Sequence, residues 1–194
     1  MTTKSASTQD LEMGSSAGQV KAPTQEAPRP DFRSIFDREF SYVWTSLRRL
    51  GVAPRDLEDV THDVFVEVFR NLVRYDTARP LRPWLFAFAF RFASDYRRLA
   101  RHRVEVYEEP AAASADPPAD DVVAARELRA VIMKALDSVE LMRRGVFILH
   151  EIDALPMAEI AQALGIPVNT AYSRLRVARE EFTATFRLLQ RGEK

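Results

Sequence analysis

This sequence of 194 residues predicts an all-α fold of two small helical domains. Three observations carry that expectation. Apolar residues recur at helical spacing over several long stretches, no stretch alternates as a strand would, and a Pro, Ala and acid-rich segment splits the pattern in two. The length suits one medium domain or two small ones.

Residues 1–30, rich in Ser, Thr, Ala, Gln and Pro, show no apolar period and are expected to form a disordered tail. A helix is predicted over 31–50, stopped by Gly51. A second follows Pro54, and a third runs from Pro83 to about residue 103, with a loop over 74–82 between them. The first domain is thus 31–103. Residues 104–121, VEVYEEPAAASADPPADD, cannot build a core and read as a flexible acidic linker. Helices near 122–137, 139–153, 157–164 and 168–190 then make up the second domain, 122–194.

Composition removes several classes of function. Without cysteine there are no disulfides, thiolate ligands or cysteine nucleophiles. His62, His102 and His150 are scattered, and neither His62 with Asp63 nor His150 with Glu151 has the further histidines a metal centre needs. Phosphate-loop, dinucleotide and nucleophile-elbow patterns are missing as well. The expected protein is not an enzyme and takes no metal or cofactor. No leader pattern opens the chain, and the longest uncharged apolar run, PWLFAFAF, is too short to span a bilayer. A cytoplasmic protein without membrane insertion is expected.

The formal net charge is zero, yet it is unevenly spread. Residues 31–103 carry net +4, 104–121 carry −6 and 122–194 carry +2, and only four of the 28 basic residues are Lys. Arg suits phosphates and guanine edges, although a GC-rich genome gives the same bias.

The sharpest local pattern is MAEIAQALGIPVNTAYSRLRVARE, 157–180. Ile160, Ala161 and Leu164 share one face of a short helix, Gly165 permits a sharp turn, and Pro167 sits where a second helix starts. Ile166, Ala171 and Leu175 close a small core. This is helix-turn-helix spacing, and the second helix offers Asn169, Thr170, Tyr172, Ser173, Arg174, Arg176 and Arg179 to a major groove.

On the helix from Pro83, the residues Leu85, Phe88, Ala89, Phe92, Ala93, Tyr96, Leu99 and Ala100 fall on one arc. Arg91, Arg97, Arg98, Arg101 and His102 fall on the other. Trp84 and Phe90 project beside the cationic arc, where aromatic rings can stack on unpaired bases. For Phe90 a satellite packing contact fits equally well. On the preceding helix Asp56, Asp59, Asp63 and Glu67 form one acidic stripe, opposite Val60, Val64, Phe65, Val68, Phe69 and Leu72. The stripe is either a solvated face or a docking face for a cationic protein.

Together these blocks resemble the extracytoplasmic-function (ECF) sigma factors of bacterial RNA polymerase, over about 31–103 (region 2) and 124–191 (region 4). The resemblance implies that DLEDVTHDVFVEVFRNL, 56–72, grips the clamp helices of the largest polymerase subunit through Asp56, Asp59, His62, Asp63 and Glu67. It implies that the loop and helix after it melt and read the −10 element, using Tyr75, Thr77, Arg79, Arg82, Trp84, Arg91, Arg97, Arg98 and Arg101. Asn169, Thr170, Tyr172, Ser173, Arg174, Arg176 and Arg179 would read the −35 duplex, with region 4 on the flap of the second-largest subunit. The linker would follow the path of nascent RNA, and an anti-sigma factor is an implied partner. His62, Ala171, Arg91 and Tyr172 depart from the residues common in the family; the first two would sit in the clamp contact or in helix packing, whereas Arg91 and Tyr172 would face DNA, so promoter sequence cannot be borrowed from relatives. An 18-residue linker reaches roughly 60 Å at about 3.3 Å per residue, against about 58 Å for roughly 17 base pairs. A helix-turn-helix regulator working outside the polymerase is the alternative, since response-regulator output domains share the C-terminal pattern.

Overall fold

A computed structural model of the chain describes residues 31–104 and 120–192, with side chains over 31–100 and 125–192. The expected tail, and the expected linker apart from its ends, lie outside the described residues. Every regular element among the described residues is helical, as the sequence predicts.

Helix α1 (Phe32–Arg49) starts where the Asp31 carboxylate accepts from the Ser34 amide at 3.3 Å, which satisfies one of the free donors of the first turn. It stops at Gly51, whose φ of +94° lets the Val52 amide fold back onto the Leu47 carbonyl at 3.1 Å. A 3-10 turn (Pro54–Asp56) leads into α2 (Leu57–Asn71), and a second (Leu72–Arg74) opens the loop before α3 (Leu81–Val104). Pro83 lies inside the first turn of α3, where no amide is needed.

The three helices close over Ile35, Val43 and Leu47 from α1, Val64, Phe65 and Val68 from α2, and Leu85, Phe86, Ala89 and Ala93 from α3. Two residues expected in the apolar arcs are not there: Phe69 is 61% exposed and Leu99 59%. Phe69 sits on the rim of α2, in edge-on contact with Phe32 at 5.1 Å between ring centres. Leu99 lies past the point at which Tyr96 and Arg97 reach the α1–α2 connection.

The second half begins with α4 (Asp120–Ser138) and α5 (Leu141–Phe147), the latter capped by Glu140, which accepts from the Met142 and Arg143 amides at 3.0 and 3.3 Å. The helix expected over 139–153 runs from 141 to 152 and changes geometry along its length. After Phe147 it widens into a π-helical turn (Ile148–Ile152), followed by Ala154 at φ +55°. In that turn and just after it, Glu151 meets Arg179 and Asp153 meets Tyr42. Helices α6 (Met157–Leu164) and α7 (Val168–Gly192) complete the chain, α7 packing along α4 and α5. The buried apolar residues of the two halves form one contiguous cluster, with α3 against α6.

Candidate nucleic-acid interface

The turn between α6 and α7 is built as its residues dictate. Gly165 adopts φ +64°, and the Ile166 amide donates to the Ala161 carbonyl at 2.9 Å. Ile160, Ala161, Ala171, Leu175 and Ala178 are buried beneath it, and Ile166 is half-buried. The opposite face of α7 exposes Asn169, Tyr172, Ser173 and Arg176, with Thr170 half-buried beside them. Arg176 pairs with Glu180 at 2.7 Å, an exposed contact of low stability that a phosphate can replace. Arg179 is held by Glu151 at 2.6 Å, and one guanidinium nitrogen of Arg174 is buried with no hydrogen-bond partner among the described residues.

The loop before α3 is pre-shaped. The Tyr75 hydroxyl donates to the Arg79 carbonyl at 2.6 Å, the Asp76 carboxylate accepts from the Ala78 amide at 3.0 Å, and Arg79 pairs with Asp76 at 3.2 Å. Thr77 and Arg79 are thereby presented at the surface. Trp84 lies between Tyr75 and Phe88, with ring centres 4.8 and 4.9 Å away. Burial, then the neighbouring Asp76, raises the Tyr75 pKa, so this hydroxyl stays protonated and can donate.

The arginines of α3 fall into two sets. Arg98 is exposed, with Asp95 at 3.3 Å, and Arg91 is exposed with Glu67 at 3.6 Å and its guanidinium over Phe88. Arg82, also exposed, and the half-buried Arg97 are held by groups on and at the end of α1. Arg82 donates to the buried Glu39 at 2.9 Å and lies over the Tyr42 ring, and Arg97 reaches the Leu50 carbonyl at 3.4 Å. The Arg101 side chain lies outside the described residues.

On α2 the ends of the acidic stripe are occupied. Asp56 accepts from the Tyr96 hydroxyl at 2.6 Å, and Glu67 accepts from Asn71 at 2.8 Å and pairs with Arg70 and Arg91. Asp59 and Asp63 stand exposed between them, beside His62, whose Nδ1 lies 3.0 Å from the Glu58 carbonyl. Next to these carboxylates runs an exposed apolar strip that the sequence did not single out: Val66, Phe69 and Val73. Its signal was the 3 and 4 spacing on the rim of the buried arc. Among the described residues no group of His, Cys, Asp or Glu could hold a metal ion, and no helix is long and apolar enough to cross a membrane.

Comparison with known proteins places these surfaces in a family. The model for Sigma-70 region 2 matches residues 35–103, and that for Sigma-70, region 4 matches 129–182. The ECF RNA polymerase sigma factor SigL of Mycobacterium tuberculosis is 31% identical over 147 residues, covering 75% of this chain and 83% of SigL. The solved structure of CnrH in complex with the cytosolic domain of CnrY superimposes with a TM-score of 0.58 at 25% identity, covering 79% of this chain and 85% of CnrH. The sigma factor RpoE of Bartonella quintana, solved with the anti-sigma factor NepR, shares the fold with a TM-score of 0.62 at 19% identity, covering 81% and 97% of the two chains. With both sigma regions on one polypeptide and this identity to SigL, the chain belongs to the ECF sigma factors, which bind RNA polymerase and direct it to promoters.

Proposed function

We propose that the work of a sigma factor is divided among three surfaces of this chain. Asp59 and Asp63, flanked by Asp56, His62 and Glu67 and by the apolar strip Val66, Phe69 and Val73, dock on the cationic clamp helices of the largest polymerase subunit. Desolvated apolar area supplies affinity there, and the carboxylates supply register and sign. Tyr75, Thr77, Arg79, Arg82 and Trp84 capture the unstacked −10 strand, while Arg91, Arg97, Arg98 and Arg101 hold its phosphates. Asn169, Thr170, Tyr172, Ser173, Arg174, Arg176 and Arg179 read and anchor the −35 duplex, with region 4 on the flap of the second-largest subunit. The domains are 31–103 and 122–194, joined by the acidic segment 104–121 after the tail 1–30.

The chain contributes binding and positioning and no reaction of its own, and it acts in the cytoplasm at the nucleoid. An anti-sigma factor is its expected regulator, in keeping with the NepR complex of its structural neighbour.

The observation that carries this reading is the exposed pair Asp59 and Asp63, which make no ion pair among the described residues, where the rest of the acidic stripe is occupied. Co-sedimentation with core polymerase tests it: the wild-type chain is retained, and Asp59→Arg with Asp63→Arg is not, at unchanged helicity. A chain that ignores core polymerase yet binds a palindromic operator is instead a free-standing regulator.

A further inference from the structure

One buried charge is left unexplained by the surfaces above. Helix α1 turns Ile35, Glu39, Val43, Ser46 and Leu47 inward, so Glu39 occupies a position where the helical period places an apolar residue. Its side chain is only 10% exposed. A buried carboxylate is costly unless it is paired, and an apolar side chain of similar volume is often at least as stable in its place. Stability alone therefore gives no reason for an acid at this point of the core.

The partner of Glu39 is Arg82, at the second position of α3 and directly after the loop assigned to the −10 strand. Arg82 Nε donates to Glu39 Oε2 at 2.9 Å, and the guanidinium carbon lies 5.0 Å from the centre of the Tyr42 ring, the next turn along α1. Arg38 Nε stands 3.9 Å from Glu39 Oε1, too far for a hydrogen bond. Arg82 is thus held at its Nε edge by an acid and on its face by an aromatic ring, yet its side chain stays 61% exposed. Among the described residues it is Nε, and not the outer pair Nη1 and Nη2, that carries its hydrogen bond.

A guanidinium held by Nε keeps its Nη pair free as a planar fork, the shape that grips a phosphate through two parallel hydrogen bonds. Fixing that fork beforehand removes much of the side-chain entropy that binding would otherwise cost. We propose that Glu39 is a positioning residue for the −10 contact: from inside α1 it aims the Arg82 fork at a phosphate of the unstacked strand, without touching DNA itself. The proposal rests on the −10 role assigned to Arg82 above. The sign of the effect separates this role from simple electrostatics. A carboxylate that acted through its charge alone would repel the strand, so its removal would strengthen binding. One that positions Arg82 weakens binding when it is removed.

The test uses holoenzyme, core polymerase with the full-length chain, and a fluorescent single-stranded oligonucleotide carrying the non-template −10 region of a promoter from which the wild type initiates. Glu39→Met removes the acceptor at similar volume, and Glu39→Gln keeps an acceptor while losing the charge. Arg82→Ala is expected to weaken strand binding about tenfold and to lower its salt slope by about 0.7, the value of one phosphate on a single strand. Glu39→Met should weaken it by about three- to tenfold, with a lower slope as well, and should add nothing in the Arg82→Ala background. Glu39→Gln should stay within about twofold of wild type, since the acceptor for Nε remains. Binding of a −35 duplex, which a general loss of fold would also weaken, should be the same in every variant. Tighter or unchanged strand binding by Glu39→Met overturns the proposal, as does an equal loss in the Arg82→Ala background or a matching loss on the −35 duplex. No effect of Arg82→Ala removes that residue from the −10 contact, and the proposal with it. Failure of wild-type holoenzyme to prefer the −10 strand over a scrambled one counts separately, against the promoter-reading function itself.

Discussion

Arg179 donates from Nε and Nη2 to the same carboxylate oxygen of Glu151, at 2.9 and 2.6 Å. An arginine on the recognition helix is therefore also a strut that ties α7 to the π-helical turn. Among the described residues its neighbour Arg176 pairs with Glu180, four positions on along the same helix. The two should separate under substitution. Arg176→Ala is expected to weaken −35 duplex binding and to lower the salt slope by about one, with the melting temperature unchanged. Arg179→Ala should in addition lower the melting temperature by about 1–3 °C, because a partly exposed ion pair contributes roughly 0.2–1 kcal/mol. Fluorescence anisotropy at several salt concentrations, with thermal melts, measures both.

Gly51 and Gly165 both stand at positive φ, with different surroundings. A Cβ at Gly51 would lie 2.5 Å from Arg97 Nη1 and 2.9 Å from Arg144 Nη1, whereas nothing lies within 4 Å of one at Gly165. Arg144 is fully buried and holds the Asp137 carboxylate at 2.8 Å and the Val139 carbonyl at 3.0 Å, so it cannot easily move aside. Gly165→Ala should cost about 1–2 kcal/mol of backbone strain. Gly51→Ala should cost more, about 2–4 kcal/mol, as the displacement of two guanidinium groups adds to the strain. Urea titration of both variants ranks them.

Burial raises the Asp153 carboxyl above its ordinary value of 3.8, against the opposing effects of the Tyr42 hydrogen bond and of Arg49 and Arg82. A carboxyl raised in the folded state contributes stability below its unfolded value and loses that contribution as pH rises through the folded one. At neutral pH the buried carboxylate is therefore a cost, which Asp153→Asn removes. The melting temperature of Asp153→Asn should exceed that of wild type at pH 7, and the gap should narrow towards pH 4. A gap that does not vary with pH would contradict this origin.

Local chemistry made the helix-turn-helix legible in advance. Ala161, Gly165, Pro167 and Leu175 lie close together in sequence, and each has one structural use. The acidic stripe was equally visible, because spacings of 3 and 4 place Asp56, Asp59, Asp63 and Glu67 on one side of α2 without reference to any other element. What could not be read depended on distant partners. The sequence leaves Phe90 open between base stacking and packing, and Gly145, beside its ring, makes it a packing contact. Arg97 reads as a surface charge, yet its guanidinium lies against the Leu50 carbonyl at the end of α1. Glu151 and Asp153 fit an unbroken helical pattern, and the contacts each makes elsewhere in the fold accompany a π-helical turn instead. The period alone puts Phe69 in the core, because it does not say where a buried arc ends. Its exposure puts an apolar strip beside the carboxylates of the proposed polymerase contact.

Run-off transcription with core polymerase on a library of promoter fragments tests the central claim most directly. The wild-type chain should direct initiation from a defined subset of fragments. Asp59→Arg with Asp63→Arg should abolish it by preventing assembly, and Arg174→Glu with Arg176→Glu should abolish it with the core complex intact. Unchanged transcription by both charge-reversed chains would contradict the assignment of these surfaces, and no initiation by the wild-type chain from any fragment would contradict the function.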